Sequence, residues 1–336
     1  MTTTPRIVLL MVVGAGLCSA TVVSSQTAST QKPPAKPATT AAKPAPAPAP
    51  PAGAKAFPTP QAAATALLQA ASTFDEAALI ALVGPDGKDL VSTGDPVRDK
   101  THALAFATLA KEGHTVVVSP SNSSRATLQV GKDHWPLPIP IVKVAGKWYF
   151  DAAAGRDEVL FRRIGGNELD AIEVCRGFVE AQKEYSLDLH DGSRVHQYAQ
   201  RILSTPGKQD GLYWKNAEGK DAGPISEGVA KAIEEGYNAD KASAYHGYFF
   251  NVLKGQGPAA PLGELDYVIN GAMIGGFALI ATPAEYGVTG IQTFIVSHSG
   301  IVYQKDLGPD SLNLAKQITR YNPDKTWTRT NDAWVK

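Results

Sequence analysis

The chain has 336 residues, 43% of them hydrophobic, with 32 Lys and Arg balanced by 32 Asp and Glu. That length can bury a core, and the neutral balance leaves no electrostatic footprint for nucleic acid or an anionic membrane. Two cysteines exclude a disulfide-built scaffold.

Arg6 followed by the apolar run Ile7 to Leu17 predicts a signal peptide over residues 1–25, cut after Ala20 or after Ser25. A run this short falls below the roughly 20 residues needed to span a bilayer, so no stable membrane span is expected after cleavage. Leu17 occupies the position where lipidation wants a small residue. Cys18 is therefore expected to leave with the signal rather than carry an anchor, although lipidation stays open. The mature chain then keeps one thiol, Cys175. Residues 26–56, dominated by Ala, Pro, Thr and Lys, read as an extended, disordered, polyproline-like tether. Together these features predict a periplasmic or secreted protein.

The first folded region is expected over 57–155. Thr59 and Pro60 start a helix with Ala63, Leu67, Ala70 and Ala71 on one face; Asp75 to Val83 forms a second, stopped by Gly84 and Pro85, and Val97 to Lys111 a third. Strands follow at Thr115 to Val118, Arg125 to Val130, Leu137 to Val144 and Lys147 to Phe150, the last two joined by a tight turn at Ala145 and Gly146. Helices followed by an antiparallel sheet predict an α+β domain. The opening Phe57 to Ala63 and the closing Gly146 to Asp151 resemble nuclear-transport-factor-2-like or cystatin-like domains, which implies a cone-shaped pocket where His102, His114 or Asp151 could act.

The second region, 156–336, is expected to hold a long helix, an antiparallel sheet, a C-terminal helix and a tail. Asn167 is expected to cap the long helix, with Glu168 and Asp170 in its first turn and Ala171, Ile172, Cys175, Phe178, Val179 and Tyr185 as its apolar stripe. Cys175, in mid-stripe with nothing basic on its face, is expected to be a buried, inert thiol. A helix is predicted over Ser193 to Leu203, ended by Thr205, Pro206 and Gly207. Strands are predicted at Tyr245 to Leu253 and Gly276 to Ala281, then a hairpin of Ile291 to Ser297 and Ile301 to Lys305 turned at His298 to Gly300. Asp310 is expected to cap a last helix.

The succession of Ala181 to Tyr185 on the long helix, Gly247 to Phe250, Ala281 to Gly290, Thr293 to Val296 and Gly300 to Tyr303 resembles the head of a type IV pilin or pseudopilin. Pilins polymerise through a wholly apolar helix. Glu168, Asp170, Glu173, Arg176 and Glu180 stand in its place here, so the resemblance implies fold rather than filament. Over nearly the whole mature chain the sequence resembles a bacterial exported family called domain of unknown function 2950. The matching stretches include Gly84 to Gly87, Trp135 to Pro140, Leu203 to Lys208, Asp210 to Trp214 and Tyr303 to Gly308.

Chemistry-bearing motifs are scarce. No Gly-x-Ser-x-Gly pentad occurs. Ser204 to Lys208 ends like a phosphate loop but lacks the first glycine, and Gln209 stands where a metal-binding hydroxyl belongs, so a turn ending a helix is the better reading. Asp188, His190, Asp191 and His196 fit neither calcium nor zinc spacing and read as a polar turn. No cofactor and no metal site is expected. The aromatic side chains Trp135, Tyr213, Trp214, Tyr245 and Tyr248, with His246, are candidate binding residues for an envelope protein or glycan, weighed against a simpler role in sheet cores. The expected function is a non-catalytic envelope binding or interaction module. The alternatives are a ligand-binding protein or enzyme using the first domain's pocket, and a pilus-associated subunit without the membrane helix.

Overall fold

The computed structural model describes residues 49–92, 94–226, 229–230 and 244–331. The signal peptide read at 1–25, Cys18 and the tether up to residue 48 lie outside the described residues. Helices and antiparallel sheets make an α+β chain that divides into two compact units, Met1–Val159 and Leu160–Lys336.

In the first unit the described chain joins the fold before Phe57, where the sequence pattern had placed its start. The Lys55 amide donates to the Ala81 carbonyl, and Phe57 bridges Trp148. Helix Pro60–Thr73 begins as its sequence dictates: the Thr59 hydroxyl accepts the Ala62 amide at 3.1 Å, and Ala63, Leu67, Ala70 and Ala71 are buried. Asp75 and Asp95 cap Glu76–Val83 and Pro96–Glu112 in the same way. A short helix, Lys88–Val91, lies between them. These helices lead into an antiparallel sheet with spatial order 114–119, 122–130, 141–144, 147–150, and the short strand Trp135–Pro136 pairs with the second. The strand predicted over 137–144 is thus confined to Ile141–Val144, because Pro138 and Pro140 supply no amide for a continuous ladder. Ala145 and Gly146 both adopt positive φ, 48° and 81°, the two-residue turn that matches strand twist.

The helix Ala152–Tyr185 runs for 34 residues and starts well before Asn167. Asp151 accepts the Ala154 amide at that start. Gly165, Gly166 and Asn167 imitate a helix boundary in sequence, yet the helix passes through them. Packing of Ile164 and Ala171 on either side offsets the roughly 1 kcal/mol per glycine that propensity costs.

In the second unit the predicted apolar stripe is buried as expected, with Ala171, Cys175, Val179 and Tyr185 almost fully covered. It packs into the core of a five-stranded antiparallel sheet with spatial order 328–329, 302–306, 292–297, 278–283, 248–253. The hairpin turned at Ser299 and Gly300 is present, with Gly300 at φ 75°. Asp310 sits at the N-cap of Ser311–Gln317.

Two expectations are overturned here. Residues 193–203 are not helical: Tyr198 bridges Met273, and Arg201–Leu203 is a strand running parallel to Gly211–Lys215, so Thr205 to Gly207 turn between strands rather than end a helix. Alternate burial of Ala199 and Ile202 arises from sheet contacts that a helical face would also satisfy. Tyr245 to Leu253 is not one strand, because His246 and Gly247 adopt φ 47° and 75° and turn the chain, leaving Tyr248–Leu253 as the strand. Ahead of the strand Ala278–Pro283, a short hairpin pairs Val268 with Met273 and turns at Asn270 and Gly271.

Candidate functional site

The six candidate binding residues do not form an exposed patch. Trp135 packs partly buried against the first unit's core. In the second unit Tyr213 is 3% exposed and donates its hydroxyl to Asp221 at 2.8 Å, while Tyr248 is wholly buried and donates to the Gln292 carbonyl at 2.8 Å. Trp214 lays its edge on Tyr185 and His190, and Tyr245 packs against the same core. His246 is the accessible member, its Nδ1 2.7 Å from a carboxylate oxygen of Asp170. Five of the six have their rings committed to packing. Burial of Tyr248 holds its phenol above the ordinary range, as a phenolate would lose its hydration without a compensating cation.

The residues considered for the first domain's pocket are likewise not brought to one site. His102 and Asp99 border a cavity of about 60 Å³ otherwise walled by Leu67, Leu79, Leu90, Phe106 and Ile139. That space suits two waters rather than a ligand, whose pockets run to several hundred Å³. The His114 ring lies 3.1 Å from the Ala110 carbonyl, and Asp151 caps the long helix beside a separate groove.

The polar turn at 188–196 is tied into the fold. His190 is buried, stacked on Tyr185 at 3.8 Å between ring centres, with Nε2 2.8 Å from the Tyr185 carbonyl. Asp191 accepts the Gln209 amide through both oxygens, and the His196 ring meets the Ser186 carbonyl. Among the described residues, no group of three or more His, Cys, Asp or Glu side chains is placed to hold a metal ion.

The feature best suited to a ligand is an open cleft of about 970 Å³ in the second unit. It is lined by residues of the segment Gln197 to Ile202 and of Phe250 to Lys254, and by Lys208, Asp191 and Asp210. The turn at Thr205 to Lys208 is held by Asp210, which accepts the Thr205 amide at 2.7 Å and its hydroxyl at 2.8 Å. Both carboxylates of the cleft are therefore satisfied by groups of the fold itself. Its cations are not: Arg201 reaches only the Thr205 hydroxyl at 3.3 Å, and Lys254 only the Gln200 amide oxygen at 3.4 Å. The Lys208 amide closes the turn on the Thr205 carbonyl at 2.9 Å, while its ammonium makes no hydrogen bond or ion pair among the described residues. Three cations with no carboxylate partner, beside amides and the Tyr198 ring, make a surface for an anionic, hydrogen-bonding ligand.

Arg201 and Lys254 escaped the sequence reading because they lie more than fifty residues apart in the chain and a false helix covered the first, while Lys208 was met only at the end of a stretch that fails as a phosphate loop.

The family model described as Protein of unknown function (DUF2950) matches residues 54–330. No curated protein and no solved structure matches the chain.

Proposed function

The chain belongs to the DUF2950 family over residues 54–330, and we propose that its folded part is an exported, non-catalytic binding module that engages another envelope component through the cleft of the second unit. The observation carrying this is the set of three cations, Arg201, Lys208 and Lys254, facing one open cleft without carboxylate partners. Isolated surface cations are common; three converging from separate segments on one concavity are the arrangement that binds an anion. Export rests on Arg6, the apolar run Ile7 to Leu17 and the Pro-rich stretch behind it.

The test is a pull-down from envelope extract with the mature protein and, in parallel, with an Arg201→Glu, Lys254→Glu double variant of unchanged thermal stability. The native protein should retain a saturable partner that the variant loses by about tenfold or more, the equivalent of ~1.4 kcal/mol of charge pairing. Equal retention by both proteins would rule out the cleft as the binding surface.

A further inference from the structure

Beside its cations, the cleft holds polar side chains that the fold leaves unused. The Gln197 and Asn251 carboxamides and the Tyr198 hydroxyl make no hydrogen bond among the described residues, and all three residues are half-buried where they line the cleft. The backbone fixes two of them. The Tyr198 amide donates to the Met273 carbonyl at 2.8 Å, and the Tyr198 ring packs on Phe277 at 4.7 Å between centres. Asn251 stands within the strand Tyr248–Leu253, opposite Ile280. A carboxamide and a hydroxyl each both donate and accept. A ligand that offers acceptor oxygens alone, such as a phosphate chain, leaves the two amide oxygens without a donor. The charge balance points the same way. Against Arg201, Lys208 and Lys254 the lining sets the carboxylates of Asp191 and Asp210, so three cations and two anions leave a net charge of plus one. A dense polyanion is poorly matched to a surface with carboxylates of its own, whereas acids spaced among hydroxyls give both signs a partner.

We propose, taking the cleft of the second unit as the binding site, that its ligand is an acidic polysaccharide built from uronic acid units. Each such unit carries one carboxylate among several hydroxyls, the mixture that this lining can answer. The carboxylates meet Arg201, Lys208 and Lys254, and the ring hydroxyls exchange hydrogen bonds with Gln197, Asn251 and Tyr198. Val252, half-buried in the same lining, supplies apolar contact for ring C–H groups. The volume of about 970 Å³ stands at the top of the range for ligand pockets, roughly 300–1,000 Å³, and its open form admits a chain of sugars rather than a single one.

The experiment is calorimetric titration of the mature protein with short oligomers of galacturonate, mannuronate and glucuronate, beside the methyl ester of each and beside polyphosphate and polyglutamate of equal charge. Saturable binding of at least one uronate oligomer is expected. Its methyl ester, which keeps the hydroxyls and loses the charge, should bind about tenfold more weakly, as should the acid in several hundred millimolar salt, because the cations sit in solvent. Gln197→Ala and Asn251→Ala each remove an amide and no charge. Each should weaken the uronate about fivefold, the worth of one hydrogen bond, and leave polyphosphate binding and melting temperature unchanged. The proposal is overturned if no uronate binds saturably up to millimolar concentration, or if polyphosphate or polyglutamate binds more tightly than every uronate. Equal binding of acid and methyl ester overturns it too, as does indifference to both amide variants. In each of these cases the cleft stands as a binding surface if the pull-down partner is still lost with the Arg201→Glu, Lys254→Glu variant, and falls as well if the partner is retained.

Discussion

Cys175 shows how far one residue can be read from its neighbours. Its place in the stripe of the long helix predicted a covered thiol, and it is fully buried, with burial pushing its pKa up to about 12. At neutral pH the thiolate is then negligible and the sulfur unreachable, so iodoacetamide should leave the native protein unmodified at pH 8 and label it once denatured. Rapid labelling of the native state, followed by mass spectrometry, would contradict the burial. The candidate aromatics were harder. Tyr213 and Tyr248 satisfy their hydroxyls through Asp221 and the Gln292 carbonyl, partners distant in sequence or on another strand. An aromatic side chain carries the same apolar face whether it binds a ligand or a core, and only the identity of its neighbours separates the two.

At the scale of elements, Asn167 and Glu168 carry a role different from the helix start they resemble. Within the continuous helix, Asn167 donates to the Thr289 carbonyl at 2.8 Å, and one Glu168 oxygen accepts the amides of Ile291 and Gln292 at 2.9 and 3.0 Å. They pin the loop before strand Gln292–Ser297 to the helix. Glu168→Ala leaves two amides without their charged acceptor and should cost about 2 kcal/mol, read as a shifted denaturant midpoint. Glu168→Gln, which keeps an acceptor oxygen, should recover part of that loss; no shift for either variant would show the contact to be idle. The same side chains that cap a helix N-terminus in one context accept foreign amides in another, since a carboxylate distinguishes only that an amide is free. The segment 193–203 fails in sequence for a related reason. Its apolar spacing fits a helix, but the amides of Tyr198, Ala199 and Gln200 are claimed by the Met273 carbonyl, the Gln182 side chain and the Asp210 carbonyl, and those partners win.

Across the second unit, burial raises the phenols of Tyr185, Tyr248, Tyr267 and Tyr321 above their ordinary 10.0. In the unfolded chain these groups ionise near 10.0, so above that pH the native state retains protons that the unfolded state releases. Their stabilising contribution is complete below about pH 10 and is lost as pH rises beyond it; Cys175 adds to the same trend from its ordinary 9.0 upward. Melting temperature should therefore hold from pH 8 to about 9, decline modestly as the unfolded thiol ionises and fall more steeply above about 10, with the ultraviolet phenolate signal of the buried groups appearing together with unfolding. A flat melting temperature through about pH 11 would contradict this. At this scale the sequence by itself determined the α+β class, the family, the helices of the first unit and the buried stripe of the long helix. Those follow from local signals: caps, proline and glycine placement, and apolar period. The tertiary structure alone decided the cleft, because its cations come from segments roughly fifty residues apart and meet only once the strand Tyr248–Leu253 lies in its sheet. A concavity is a property of what separate segments leave between them, and no local pattern records it.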